Sequence, residues 1–130
     1  MEEIKAGDIM LNNWVEYDGK YYQISALSEE YPFLNTDAFG VGVVTYRNIK
    51  GIPLTEDILL KAGFRKRKMS GYDTHFIYSL FIGGETICIT AIYNADFSIM
   101  LHGVARGVKY LHRLQNIIKI ITGNELEINL

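Results

Sequence analysis

The segment from Val108 to Leu130 constrains the fold more tightly than any other part of this chain. Placed at about 100° per residue, Tyr110, Leu111, Leu114, Ile117, Ile118 and Ile121 form one apolar stripe, and His112, Gln115, Asn116 and Lys119 share the opposite side. The stripe predicts a helix over Val108–Thr122 with Leu114 and Ile118 in the core. Gly123 stands where a left-handed residue ends a helix, and Glu125–Leu130 alternates in the manner of a short edge strand. A single amphipathic helix needs a surface to cover, and the residues before it supply strands.

Phe64–Met69, His75–Ile82, Glu85–Tyr93 and Phe97–Leu101 read as a four-stranded meander. Gly83-Gly84 is a two-residue hairpin turn between the second and third of these, and Asn94-Ala95-Asp96 a longer one. The second and third strands are nearly continuous in apolar residues, a pattern expected when both faces of a sheet are covered. Before the meander, Thr55 is placed to cap a short helix. Glu56 and Asp57 stand where the helix dipole favours negative charge, Ile58, Leu59 and Ala62 face inward, and Gly63 stops the helix.

The N-terminal half opens on a hairpin from Asp8 to Ser28. Apolar and aromatic residues flank Asp18-Gly19, a dipeptide suited to a turn with φ > 0 at both central positions. Glu29–Phe39, with Pro32, Asn35 and Asp37, reads as a loop, and Gly40–Tyr46 returns to β character. Two paired strands, a loop and a third strand suggest a bent SH3-like sheet. The expected class is α+β: one domain over 1–130, whose possible halves are an SH3-like β part at 8–53 and a helix, meander, helix and edge strand at 54–130.

Composition narrows the function. Hydrophobic residues make up 48% and charged residues 22%, values of a folding globular chain. A net charge of -2 gives no general attraction to phosphate backbones or anionic lipid. Cys88 is the sole cysteine, which rules out an intramolecular disulfide and a cysteine-based metal site. With no signal-like N-terminus and no run of about 18 apolar residues, a cytoplasmic protein that does not span a membrane is expected.

Four features recur in order along the chain: Leu11-Asn12-Asn13-Trp14-Val15-Glu16-Tyr17; Tyr21-Tyr22-Gln23-Ile24; Ile52-Pro53-Leu54-Thr55-Glu56 leading to Leu59-Leu60 and Gly63-Phe64; and Tyr110-Leu111-His112, Leu114-Gln115-Asn116 and Thr122-Gly123-Asn124-Glu125-Leu126. In this order they resemble a family of uncharacterised small proteins of phages, prophages and mobile elements of Bacteroides-type gut bacteria. The resemblance implies a phage or mobile-element origin and an intracellular setting, and no chemistry. Asn12-Asn13 departs from the glycine that such openings often carry.

Several residues invite a functional reading. His112, Gln115, Asn116 and Lys119 could bind an anion, a base edge or a partner's backbone, or be a solvated helix face. Cys88 with His75 suggests an activated thiol, although Cys88 lies between Ile87 and Ile89, where a core position is expected. His75, His102 and His112 lack metal-ligand spacing, and no glycine-rich phosphate loop is present, Gly40-x-Gly42 being incomplete; no metal or cofactor is expected.

Arg65-Lys66-Arg67-Lys68 could touch phosphate or discourage edge-to-edge strand pairing. Trp14, Tyr17, Tyr21, Tyr22 and Tyr31 crowd the first hairpin and its loop, and suit either cross-strand packing or a protein interface. Tyr17, Tyr21 and Tyr22, with the helix residues His112, Gln115, Asn116 and Lys119, are the candidate binding residues. The expected function is a non-enzymatic binding or accessory protein, meeting a protein partner or a second copy of itself. The alternatives are a weak nucleic-acid-associated protein and an enzyme with a site assembled from dispersed residues such as His112 and Glu125.

Overall fold

The computed structural model describes residues 8–27, 32–34, 48–71, 74–93, 95–101 and 103–130. The expected strand at Gly40–Tyr46, most of the expected loop at Glu29–Phe39, Tyr31 and His102 lie outside them. The protein is α+β, with two antiparallel sheets and two helices. It divides into two compact units. The first takes the described residues up to Pro53 together with Tyr110–Asn116; the second takes Leu54–Lys109 and Ile117–Leu130.

In the first unit, β1 (Trp14–Tyr17) and β2 (Lys20–Leu27) form the hairpin, closed by Asp18 at φ +51° and Gly19 at φ +77° as the Asp-Gly signal requires. β3 (Pro32–Leu34) pairs with β2, so a piece of the expected loop is strand. Pro32 lacks a backbone N–H and stands at the strand's first position, where that loss is tolerated. β4 (Lys50–Gly51) pairs with β1 and gives the order β3-β2-β1-β4. Ile9, Val15, Ile24 and Ile49 form a buried cluster with Tyr17 packed against it. Gly51 must be glycine for space: a Cβ there would stand 2.7 Å from the Tyr110 ring and 3.0 Å from His112 Cε1.

The second unit begins with α1 (Glu56–Lys61). Thr55 Oγ1 accepts from the Ile58 N–H at 3.2 Å, Ile58, Leu59 and Ala62 are buried, and Gly63 stops the helix at φ +96°. The sheet follows in sequence order: β5 (Arg65–Lys68), β6 (His75–Ile82), β7 (Glu85–Ile92), β8 (Ala95–Leu101) and β9 (Val104–Gly107). The fifth strand was not expected. Gly103, at φ +79°, lies between β8 and β9, and Val108 N–H donates to Phe97 O at 2.9 Å beyond β9's end. The run Val-Ala-Arg-Gly carries too little alternation to announce a strand.

That pairing also delays the second helix. α2 is Leu111–Thr122, three residues later than the stripe suggests, because Val108 is held in extended pairing and Tyr110 bridges to Pro53. Leu114 and Ile118 are buried as expected. Glu125–Leu130 forms no strand; Leu126 and Ile128 are buried while Glu127 and Asn129 are exposed, so its alternation is one of packing alone.

Candidate functional site

The polar side of α2 is neither a solvated face nor an open binding site. Gln115 is buried and holds the backbone at two points: its Oε1 accepts from the Trp14 N–H at 2.8 Å, and its Nε2 donates to Asn12 O at 3.1 Å. Asn116 works beside it, donating through Nδ2 to Asp8 O at 2.9 Å and accepting through Oδ1 from Asn13 Nδ2 at 2.8 Å. Asn13, itself buried, accepts from the Met10 N–H at 2.9 Å. Two helix amides thus fasten the segment Asp8–Trp14 where it leads into β1, beside the backbone bonds from Asn12 N–H to Ile24 O at 2.8 Å and from Ile24 N–H to Asn13 O at 2.9 Å. Asn12 takes φ +69°, a conformation that Asn adopts more readily than most residues.

His112 is 3% exposed, its ring stacked on Tyr110 at 5.8 Å between centroids. Its Nδ1 is buried without a hydrogen-bond partner. Burial, seconded by the neighbouring Arg113 and opposed by Asp8, pushes its pKa down to about 4, so the ring is neutral at ordinary pH. Lys119, the fourth of the set, closes the helix end: its Nζ donates to Gly123 O at 3.2 Å and stands 3.6 Å from the Glu125 carboxylate. All four proposed binding side chains of α2 are thus engaged in or packed into the fold.

The aromatic hairpin offers little more. Trp14 is buried, Tyr17 and Tyr22 are half-buried and meet edge to face at 6.3 Å, and Tyr21 alone of the described set is exposed, at 46%. One exposed tyrosine is not a patch.

The broad exposed surface belongs to the second sheet. Strand registers put Tyr78 opposite Ile89, and Ile89 opposite Ile99; with Ile87, Ala91 and Phe97 these residues make the buried face. Tyr78 donates from its hydroxyl to Glu56 Oε1 at 2.9 Å, and Lys66 pairs with the same carboxylate while lying 4.2 Å over the Phe76 ring. Lys66 and the Tyr78 hydrogen bond hold the Glu56 pKa down; burial and the carboxylate raise that of Tyr78, which makes the phenol a poor proton donor.

Alternate residues form the other face: Arg65 and Arg67 on β5, His75, Ile77, Ser79 and Phe81 on β6, Thr86, Cys88, Thr90 and Ile92 on β7, and Ser98 and Met100 on β8. Phe81 is 73% exposed, Ile92 43% and Met100 41%. Tyr93, next to Ile92, is 73% exposed. Among the described residues this face is therefore only partly covered, with Arg65, Arg67, Phe81, Thr86, Ile92 and Met100 exposed and the others half-buried. The small polar residues Ser79, Thr86, Thr90 and Ser98, alternating with apolar ones along their strands, were the signal in the sequence for a more open face.

Cys88 is half-buried on this open face, not in the core as expected, because its register partner is Ser79 and its core neighbours are Ile87 and Ile89. His75 shares the face but lies opposite Ile92, four strand positions from Ser79 and thus about 13 Å away along the strand. At that separation it cannot serve the thiol as a base. Among the described residues no group of three His, Cys, Asp or Glu side chains could hold a metal, and no helix is long and apolar enough to cross a membrane. Comparison with protein-family models, with curated proteins and with solved structures finds no match for this chain.

Proposed function

We propose that this chain is a non-enzymatic binding protein that receives a protein partner on the open face of its five-stranded sheet. The observation that carries the reading is the contrast between the two faces: one is closed over Tyr78, Ile89 and Ile99, while the other presents Phe81, Ile92 and Met100 to solvent beside half-buried Ile77 and Cys88. Exposed apolar residues gathered on one face mark an interaction surface more often than the same residues scattered singly. A phage or mobile-element origin, which the resemblance in motif order implies, would make the partner a host protein or a product of the element itself.

A photoreactive benzoylphenylalanine at position 81 tests the reading in living cells. It should give discrete protein adducts, while the same group at Leu60 or Ile120, also exposed but on helices, should not. Equal yields at all three positions, or none at 81, would remove the proposal. The nucleic-acid alternative has less to draw on. His112, Gln115 and Asn116 are taken up by the fold, and Lys66 is tied to Glu56, which leaves Arg65 and Arg67 on the open face. Oligonucleotide binding should be weak and lost by about 0.2 M salt, as phosphate-dominated contacts are. Tight binding that persists in such salt would favour that alternative instead.

A further inference from the structure

Resting on this reading of the open face, we propose that its occupant is an acidic amphipathic segment of the protein partner, with its apolar side on Ile77, Phe81, Cys88 and Met100 and its carboxylates against Arg65 and Arg67. The four basic residues of β5 are divided by the strand's alternation. On the closed side Lys66 has its counter-ion, Glu56, supplied by the first turn of α1. On the open side the Arg65 and Arg67 side chains are exposed and make no ion pair or hydrogen bond with another described residue. At the paired positions of that face they are the only side chains with a fixed charge, and none is acidic. Asp96 lies in the irregularity between Ile92 and Ser98, near the opposite edge of the sheet.

The geometry gives the arginines a direction. Arg65 stands opposite Ser79, which stands opposite Cys88; Arg67 stands opposite Ile77, which stands opposite Thr90, and Thr90 opposite Ser98. Two rows of small or apolar residues therefore run inward from two guanidinium groups, flanked by Phe81 toward one end of the strands and Ile92 toward the other. Residues two apart on a strand lie about 7 Å from one another, and carboxylates one turn apart on a helix are about 5–6 Å apart, a spacing the flexible arginine side chains can span. Guanidinium binds carboxylate through paired hydrogen bonds, so two such groups at the border of an apolar surface select for acidic residues at the border of the segment that covers it.

The same observations disfavour the other occupants. A second copy of the chain would bring the same face, with two more arginines and no carboxylate at the paired positions. Single-stranded nucleic acid stacks successive bases on rings along its path, whereas Phe81 stands about 20 Å along β6 from His75, the end of the sheet where Tyr93 also lies, with no ring on the open face between them among the described residues.

Amide NMR titration of the full chain gives the test, with three probes: a 20-residue Glu/Leu amphipathic peptide, its Lys/Leu counterpart, and oligouridine. The Glu/Leu peptide should perturb β5 to β8 on the open-face residues. The double variant Arg65→Glu, Arg67→Glu should weaken that binding by about tenfold and turn the preference to the Lys/Leu peptide. Both positions are exposed, so circular dichroism should be unchanged; the Gln pair at the same sites serves as the milder variant. The proposal is overturned if the Glu/Leu peptide leaves these amides unmoved, if both peptides bind alike before and after reversal, if oligouridine is preferred, or if dilution alone moves the same signals through self-association. Adducts at position 81 that are indifferent to charge reversal would retain the face as a binding surface and refute only the acidic occupant.

Discussion

Asn13, His112 and Gln115 are buried in the first unit, whereas among the described residues of the second every fully buried side chain is apolar or, in Tyr78, aromatic with its hydroxyl bonded to Glu56. The helix α2 contributes to both in different ways. Its residues up to Asn116 offer amides that grip backbone groups of Asp8, Asn12 and Trp14, and the residues from Ile117 on offer Ile118 and a capped end. Directional bonds add to the few backbone bonds that hold the residues ahead of β1, where apolar contact alone would allow the segment to slide. A five-stranded sheet already has its register set by its ladders, and apolar packing on one face completes it.

The largest test of this contrast is its common ground. Leu114→Ala and Ile118→Ala, one in each unit and both fully buried, should each cost about 2–5 kcal/mol in urea unfolding. A loss within error at either position would mean that its half of the helix is not core. Next in size is the pH response of the first unit. His112 has a pKa of about 4 folded against 6.5 for an unperturbed ring, so between these values the unfolded chain binds the proton and the folded one does not. Its contribution is complete above about pH 6.5 and is lost as pH falls toward 4, by about 3 kcal/mol in all. The difference between wild type and His112→Phe in unfolding free energy should follow that window. A pH-independent difference would show that the ring is not buried neutral.

Gln115→Leu separates the two kinds of burial more finely. It keeps volume but takes the Gln115 acceptor from the Trp14 N–H and leaves Asn12 O with the Gln23 Nε2 donor at 3.2 Å, and should cost about 1–3 kcal/mol. Lys119→Met in the second unit, removing an exposed ion pair and a cap, should cost less than about 1 kcal/mol. Equal costs would erase the distinction. Smallest of all, Tyr21→Ser and Phe81→Ser should each change stability by less than about 0.5 kcal/mol, since both side chains are exposed. A larger loss at Phe81 in thermal unfolding would show that the open face contributes to the fold itself.

Much of this architecture was legible in the chain. Asp18-Gly19 and Gly83-Gly84 take the positive φ values that their turns require, Thr55 caps α1, and β6 has the bounds its apolar run suggests. These features depend on neighbouring residues, and local sterics and hydrogen bonding decide them. The exposure of individual side chains was less legible. The tyrosines of the first hairpin drew attention by number, yet Trp14, Tyr17 and Tyr22 are buried or half-buried, while Phe81, hidden in an apolar run, is 73% exposed.

The sequence by itself determined which residues form turns, caps and amphipathic stripes, because these follow from periodicity and backbone sterics within a few residues. Only the tertiary structure decided which polar residues are inside and which apolar ones are outside. Gln115 and Asn116 lie 101 and 103 positions from Trp14 and Asn13, the residues whose backbone and side chain they meet, and nothing local to the helix announces those partners. An amide can be buried once its hydrogen bonds are restored by distant groups, and a phenylalanine stays exposed when no other element covers its side of the sheet; both outcomes are set by where the rest of the chain arrives.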